Sequence, residues 1–170
     1  FSFKKRLEIE ALYRPHLAYG MFNAAIQAKG LGIDEISVLE FGIYCGKALF
    51  FMEKHAKEIT SITGVKFKIY GFDILNGLPS PTDYRDQEYF WPKGAFKNNE
   101  TKMRRNIKES ILVLGDVKNT AYSFIEEYNP PTIGFISFDI FNDPTSGWFG
   151  DIWYKGNSQY VFANPNMKGL

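Results

Sequence analysis

Ile36-Ser37-Val38-Leu39-Glu40-Phe41-Gly42-Ile43-Tyr44-Cys45-Gly46 is the stretch on which the fold turns. Its first six residues form a short, mostly apolar run with β-branched members, the composition of a buried strand, and Gly42 ends it. From Gly46 the period changes. Leu49, Met52, Ala56 and Ile59 recur at helical spacing, and Gly64 supplies a stop before a second strand-like run, Phe67-Lys68-Ile69-Tyr70-Gly71-Phe72. Strand, glycine turn, helix and strand make one β-α-β unit, and such a crossover pairs its strands in parallel.

The flanks continue the alternation. Upstream, the first thirty residues read as helical: Pro15 suits a first helical turn, Leu17, Met21, Ala24 and Ala28 repeat at helical steps, and Gly30 and Gly32 supply the stop. Downstream, the stretch from Leu75 to Phe96 is dense in Pro, Gly, Asp and aromatic residues and reads as a long loop, a lid or binding segment or else a poorly ordered insertion. A helix is expected around Glu100 to Ile107 and a strand over Ile111-Leu112-Val113-Leu114. A further helix carries Val117, Ala121, Phe124 and Tyr128, ended by Pro130-Pro131, and the last clear strand is Ile133-Gly134-Phe135-Ile136-Ser137-Phe138. The expected class is α/β with a mostly parallel sheet and helices on both faces, its C-terminal part incomplete.

The chain has 170 residues, 45% of them apolar and 23% charged, which is enough for one domain with a real core. One domain over 1–170 is expected: a helical segment over 1–32, the core over 33–140 and a C-terminal remnant over 141–170. The net charge of +1 gives no electrostatic case for nucleic acid or anionic membrane as partner. Cys45 is the single cysteine, so neither an intrachain disulfide nor a Cys-built zinc site is expected, and a reducing cytoplasm fits. No apolar run approaches the roughly 20 residues of a membrane helix. The first residue is Phe1 instead of Met, so a longer parent sequence is expected.

In an open parallel sheet, ligands bind beyond the carboxyl ends of the strands. Here those ends are chemically loaded. The first carries Glu40-Phe41-Gly42 and the turn to Gly46, the second Asp73, the third Gly115-Asp116-Val117, the fourth Asp139. A carboxylate at Asp73 suits the two hydroxyls of a ribose. Each residue also has a plainer reading: Asp116 suits a helix N-cap, Gly42 ordinary turn chemistry, Asp73 a cap. Their joint placement after every strand favours a nucleoside site. Two phosphate motifs fail. A P-loop needs four residues between its glycines and Ser or Thr after the Lys, whereas three separate Gly42 from Gly46 and Ala48 follows Lys47; the dinucleotide fingerprint needs glycine where Tyr44 stands.

A glycine turn without a phosphate fingerprint, a ribose carboxylate and a third-strand Asp together resemble the Rossmann-like class I S-adenosylmethionine-dependent methyltransferases. Arg14-Pro15-His16-Leu17-Ala18-Tyr19-Gly20, Glu40-Phe41-Gly42, Tyr70-Gly71-Phe72-Asp73, Gly77-Leu78-Pro79 and Phe135-Ile136-Ser137-Phe138-Asp139 look like the macrocin O-methyltransferase-like branch. The resemblance implies S-adenosylmethionine as cofactor. Glu40, Gly42 and Gly46 would shape the pocket for its methionine part, Asp73 would bind its ribose, and Gly115 with Asp116 would lie beside its adenine; Phe41, Ile74 and Val117 complete the cofactor-binding set. Asp139 would be the catalytic residue and a ligand for Mg²⁺, and Arg14, His16 and Tyr19 would meet the acceptor. His16 is equally suited to a surface cap.

The branch also implies a second acidic residue two positions after Asp139, where Phe141 stands; Asp139 with Asp143 is a weak substitute. The stretch from Ile140 to Leu170 is about one β-α-β unit long, so residues are expected to be missing after Ile140. Trp153 to Tyr160 reads as a hairpin with a Gly156-Asn157 turn. His55 is expected to be helix packing, Cys45 no nucleophile, and Arg104-Arg105 a solvated face. The expected activity is methyl transfer to a small-molecule acceptor, a hydroxyl on a sugar or related metabolite. A non-catalytic nucleoside-binding or scaffold module and a nucleotide-sugar enzyme are the alternatives, and a homo-oligomer is compatible with all three.

Overall fold

The computed structural model describes residues 1–80, 89, 92–139 and 160–161. In chain order the elements are α1 (Phe3–Glu8), α2 (Pro15–Gly30), β1 (Glu35–Phe41), α3 (Lys47–Thr63), β2 (Lys66–Asp73), α4 (Glu100–Arg104), β3 (Ile111–Leu114), α5 (Val117–Tyr128), β4 (Ile133–Phe138) and β5 (Tyr160–Val161). The sheet runs β3-β2-β1-β4-β5. Its first four strands are parallel, and β5 pairs antiparallel with β4. The α/β class and the Rossmann-like, mostly parallel sheet are as expected.

The pleat divides the strands between two cores. Along β1, Ile36 and Val38 face a core built with α1, α2 and α3, while Leu39 and Phe41 face a second core under α5. β2 follows the same alternation, with Ile69 in the first core and Tyr70 and Phe72 in the second. Helices thus cover both faces of the sheet. The apolar stripe of α3 is the strongest contributor: Leu49, Met52 and Ile59 are fully buried, each stabilising by about 1.5–3 kcal/mol relative to exposure. On the other face Phe41 stacks between Phe72 at 4.4 Å and Phe138 at 4.9 Å, and the Phe124 ring of α5 meets Phe72 at 5.1 Å.

The expectation of helix through the first thirty residues needs correction. Helix is present over Phe3–Glu8 and Pro15–Gly30, and the chain between them departs from it. Steric conflict with the Pro15 ring disfavours right-handed helix at the residue before it. Arg14 sits in the left-handed region at φ 51°, and so does Glu10 at φ 54°. The corner they make brings Arg14 and His16 to the carboxyl edge of the sheet. In the 153–160 stretch, only the backbone of Tyr160 lies within the described residues. Residues 140–159, including Phe141, Asp143 and the point where missing sequence is expected, lie outside them.

Candidate functional site

Strand register sets the site. Glu40 of β1 pairs with Gly71 of β2 on one side and with Ser137 of β4 on the other. The next row is the aromatic one, Phe72, Phe41 and Phe138, whose side chains take the opposite face. One residue further stand Asp73, Gly42 and Asp139. Gly42 N donates to Phe72 O at 2.9 Å and Asp139 N to Phe41 O at 2.8 Å, which extends the ladder to that row. By the two-residue alternation of strands, Asp73 and Asp139 return to the face that Glu40 occupies. Three carboxylates therefore gather on one face at one edge, beside the corner that carries Arg14 and His16.

Glu40 is the most constrained of them. Its side chain is 1% exposed, and Oε2 has no hydrogen-bond partner among the described residues. Burial pushes its pKa up to about 8; Arg14 draws it down, and the negative charges of Asp139 and Asp73 push it up again. The protein thus holds a neutral acid at neutral pH with an oxygen in want of a donor, a disposition suited to a cationic ligand. Gly71 makes the space: a Cβ there would stand 2.7 Å from Leu49 Cδ1 and 2.8 Å from Ile43 Cγ2, so its absence lets the turn after β1 settle on the sheet.

Asp73 is both site and scaffold. Its Oδ2 accepts from the backbone N–H of Ile43 and of Tyr44, each at 3.0 Å, and its Oδ1 from Leu75 N–H at 2.6 Å. A carboxylate oxygen has two lone pairs, so one on Oδ1 stays open to a hydroxyl. The turn it anchors has Gly42 at φ 83°, Tyr44 at φ 42° and Gly46 at φ 74°. Gly46 also touches α4: a Cβ there would lie 2.7 Å from Met103 Cγ.

The remaining expected residues divide. Gly115, at φ 141°, donates its N–H to Asp73 O at 3.0 Å and so joins the ends of β2 and β3. Ile74 is 46% exposed at that edge. Asp116 is the N-cap of α5, its carboxylate accepting from Lys118 N–H at 2.9 Å, and Val117 opens that helix against the second core. The Phe41 side chain packs in the aromatic row on the face away from Glu40. His16 is held below the usual imidazole range by burial and by Arg14, with Asp139 opposing. Asp139 is exposed, and Tyr19, one turn beyond His16, is 60% exposed. His55 is packing, as expected, with its Nε2 on Tyr13 O at 2.8 Å.

Two residues escape a reading of sequence alone. Asn98 donates its amide to Tyr44 O and so clamps the glycine turn from outside. Glu53 of α3 accepts from the backbone N–H of Lys108, Glu109 and Ser110 and from the Ser110 hydroxyl, which fixes the approach to β3. Neither belongs to a motif; both act on backbone distant in sequence. For Mg²⁺ the fit is poor: Glu40, Asp73 and Asp139 share an edge, but among the described residues no three His, Cys, Asp or Glu side chains come close enough to hold one metal ion. Among those residues no helix is long and apolar enough to cross a membrane.

No family model and no curated protein matches the sequence. Among solved structures, that of the calicheamicin methyltransferase CalS11 is similar, with a TM-score of 0.53 and 19% identity over 83% of this chain. The chain spans 61% of the length of that protein. The likeness is one of fold, the Rossmann-like α/β architecture described above.

Proposed function

We propose that the chain binds S-adenosylmethionine at the carboxyl edge of its sheet and transfers the methyl group to a hydroxyl of a small acceptor, a sugar or related metabolite. The observation that carries this reading is the buried Glu40 with its unpartnered Oε2, in one group with Asp73 and Asp139 beside a left-handed glycine turn. Such a site lacks the anion cradle of a phosphate binder and favours a cation bearing hydroxyls. The fold likeness to CalS11 supports the same reading.

The cofactor supplies an electrophilic methyl on a sulfonium centre. Glu40 receives the positively charged methionine end, and the remaining lone pair of Asp73 Oδ1 receives a ribose hydroxyl. Gly115 and Ile74 border the adenine. Asp139, exposed at the same edge, takes the proton of the acceptor hydroxyl as its oxygen attacks in line. His16, kept neutral at pH 7 by burial and Arg14, orients that hydroxyl with Arg14 and Tyr19. No step of this chemistry runs through a metal.

Calorimetric titration tests the reading. S-adenosylmethionine and S-adenosylhomocysteine are expected to bind saturably and to compete with each other, whereas UDP and NAD do not displace them. Absence of binding to folded protein, or displacement by UDP, overturns it in favour of a scaffold or a nucleotide-sugar enzyme.

A further inference from the structure

A recess of about 140 Å³ opens on the outer side of the glycine turn, lined by Tyr44, Cys45, Lys97, Asn98, Lys102, Met103 and Asn106. It holds none of the carboxylates described above. Consecutive peptide groups of the turn separate the two places: Tyr44 N–H is held by Asp73, and Tyr44 O by Asn98. The floor is Met103, 1% exposed, and the walls are polar.

Charge gives the recess its chemistry. Lys97 and Lys102 both line it, and among the described residues neither has a carboxylate partner. Glu100, the acid nearest to them in sequence, is taken by Arg104 at 2.7 Å. The Asn106 side chain, also in the lining, makes no hydrogen bond among the described residues, so its amide is available as a donor. The recess stands next to the first turn of α3, whose N-cap Gly46 offers no side chain and whose end carries partial positive charge. Two ammonium groups and an amide donor thus line one small concavity with no acid among the lining residues to balance their charge. In a chain of net charge +1 this pairing is local.

We infer that this recess is a binding site for an oxyanion, a phosphoryl group by its charge and size, held by Lys97, Lys102 and Asn106. Its ligand is either free phosphate or the phosphate of a small organic monoester. An anion there bridges the glycine turn to the segment around α4 and so stiffens the turn that Asp73 anchors from the other side. The inference is independent of the methyltransferase reading, because nothing in it involves the strand-edge carboxylates.

Cys45 provides the readout, since it is exposed, lines the recess and is the single cysteine of the chain. Its rate of alkylation by iodoacetamide, a neutral reagent, is measured by mass spectrometry as inorganic phosphate is raised, with chloride at matched ionic strength as control. The expected result is saturable slowing, about tenfold when phosphate stands at about ten times its dissociation constant, as one exclusive site requires. The double variant Lys97→Ala/Lys102→Ala, both residues being exposed, is expected to fold and to lose the protection. Protection by glycerol 1-phosphate at lower concentration than by phosphate identifies a monoester as the ligand; equal or weaker protection identifies the free anion. No slowing up to physiological phosphate, equal slowing by chloride, or slowing that persists in the double variant overturns the inference.

Discussion

At the scale of single residues, Glu40 and Asp73 do different work although both are strand-end carboxylates. Glu40 ionises near pH 4.5 in the unfolded chain and near 8 in the folded one. Between those values the folded state holds a proton that the unfolded state has released, so stability falls as pH rises, by at most about 1.4 kcal/mol per pH unit for one proton. Glu40→Gln keeps the neutral shape and is expected to flatten that decline; chemical denaturation at pH 5, 6.5 and 8 measures it. Binding of a cation has the opposite slope. It expels the same proton, so affinity for S-adenosylmethionine is expected to rise between pH 6 and 8 in the wild type and to stay level in Glu40→Gln, as titration in buffers of different ionisation heat would read. Asp73 instead accepts three backbone N–H groups. Asp73→Ala is expected to weaken cofactor binding tenfold or more, about 1.4 kcal/mol, and to lower stability as well by freeing those amides. An affinity unchanged in folded Asp73→Ala removes the ribose from this position.

Elements carry constraints that no single functional residue expresses. The strands, α3 and α5 follow from period in the sequence because each has an apolar face of matching repeat, and the glycine turn follows from its punctuation; α4, Glu100–Arg104, is shorter than the helix expected to Ile107. The side on which each carboxylate falls was also legible in principle: counting by twos from Val38 reaches Glu40, and from Ile69 reaches Asp73. What resisted reading was backbone captured from far away. Glu53 lies on α3 with its partners at 108–110, and Asn98 reaches Tyr44 across 54 positions; one sequence holds no periodic signal for either. Break of helix at 9–14 was readable only through Pro15, whose suitability for a first turn also forbids the turn before it. Gly71 shows how an element positions chemistry. Gly71→Ala would press on Ile43 and Leu49, with an expected cost of about 1–3 kcal/mol for overpacking and a loss of cofactor affinity as Ile43 lifts the turn. Gly64→Ala, at φ 83° with nothing within 4 Å, is the control that adds backbone strain and spares affinity. Glu53→Ala is expected to fail differently. Backbone and Ser110 hydrogen bonds hold the Glu53 pKa below its ordinary value against burial, so the stability it contributes is present above pH 4.5 and lost on acidification; the variant should unfold at a higher pH when acid is added and bind cofactor normally at pH 7.

For the molecule as a whole, two faces divide the labour. Among the described residues the α5 face is closed by stacked aromatics and carries only Phe41, Asp116 and Val117 of the candidate set, whereas the face under α2 and α3 collects Glu40, Asp73 and Asp139 at its carboxyl edge. The segment after β2 leaves that edge through a narrow neck. Leu78 N–H donates to Ala95 O at 2.8 Å and Gly94 N–H to Leu78 O at 2.9 Å, while Asn98 N–H returns to Leu75 O at 2.9 Å. Gly77 fits there only as glycine: its φ is 77°, and a Cβ would meet the carbonyl oxygens of Ala95 and Gly94 at 2.5 and 2.6 Å. The neck closes the two ends of the segment on each other, and half of the lid expected within 77–96 lies outside the described residues. Replacing 80–91 with a short glycine linker is expected to leave cofactor affinity within about twofold, below the 1.4 kcal/mol that marks a tenfold change, and to abolish methyl transfer to acceptor. The reverse is expected of Gly77→Ala, where backbone collides with backbone: the neck opens, Leu75 loses its register with Asn98, and the hold of Asp73 on Leu75 N–H loosens, so cofactor affinity and turnover fall together. Should the linker variant lose cofactor binding while remaining folded, the segment belongs to the cofactor pocket and the acceptor must enter from the side of Tyr19.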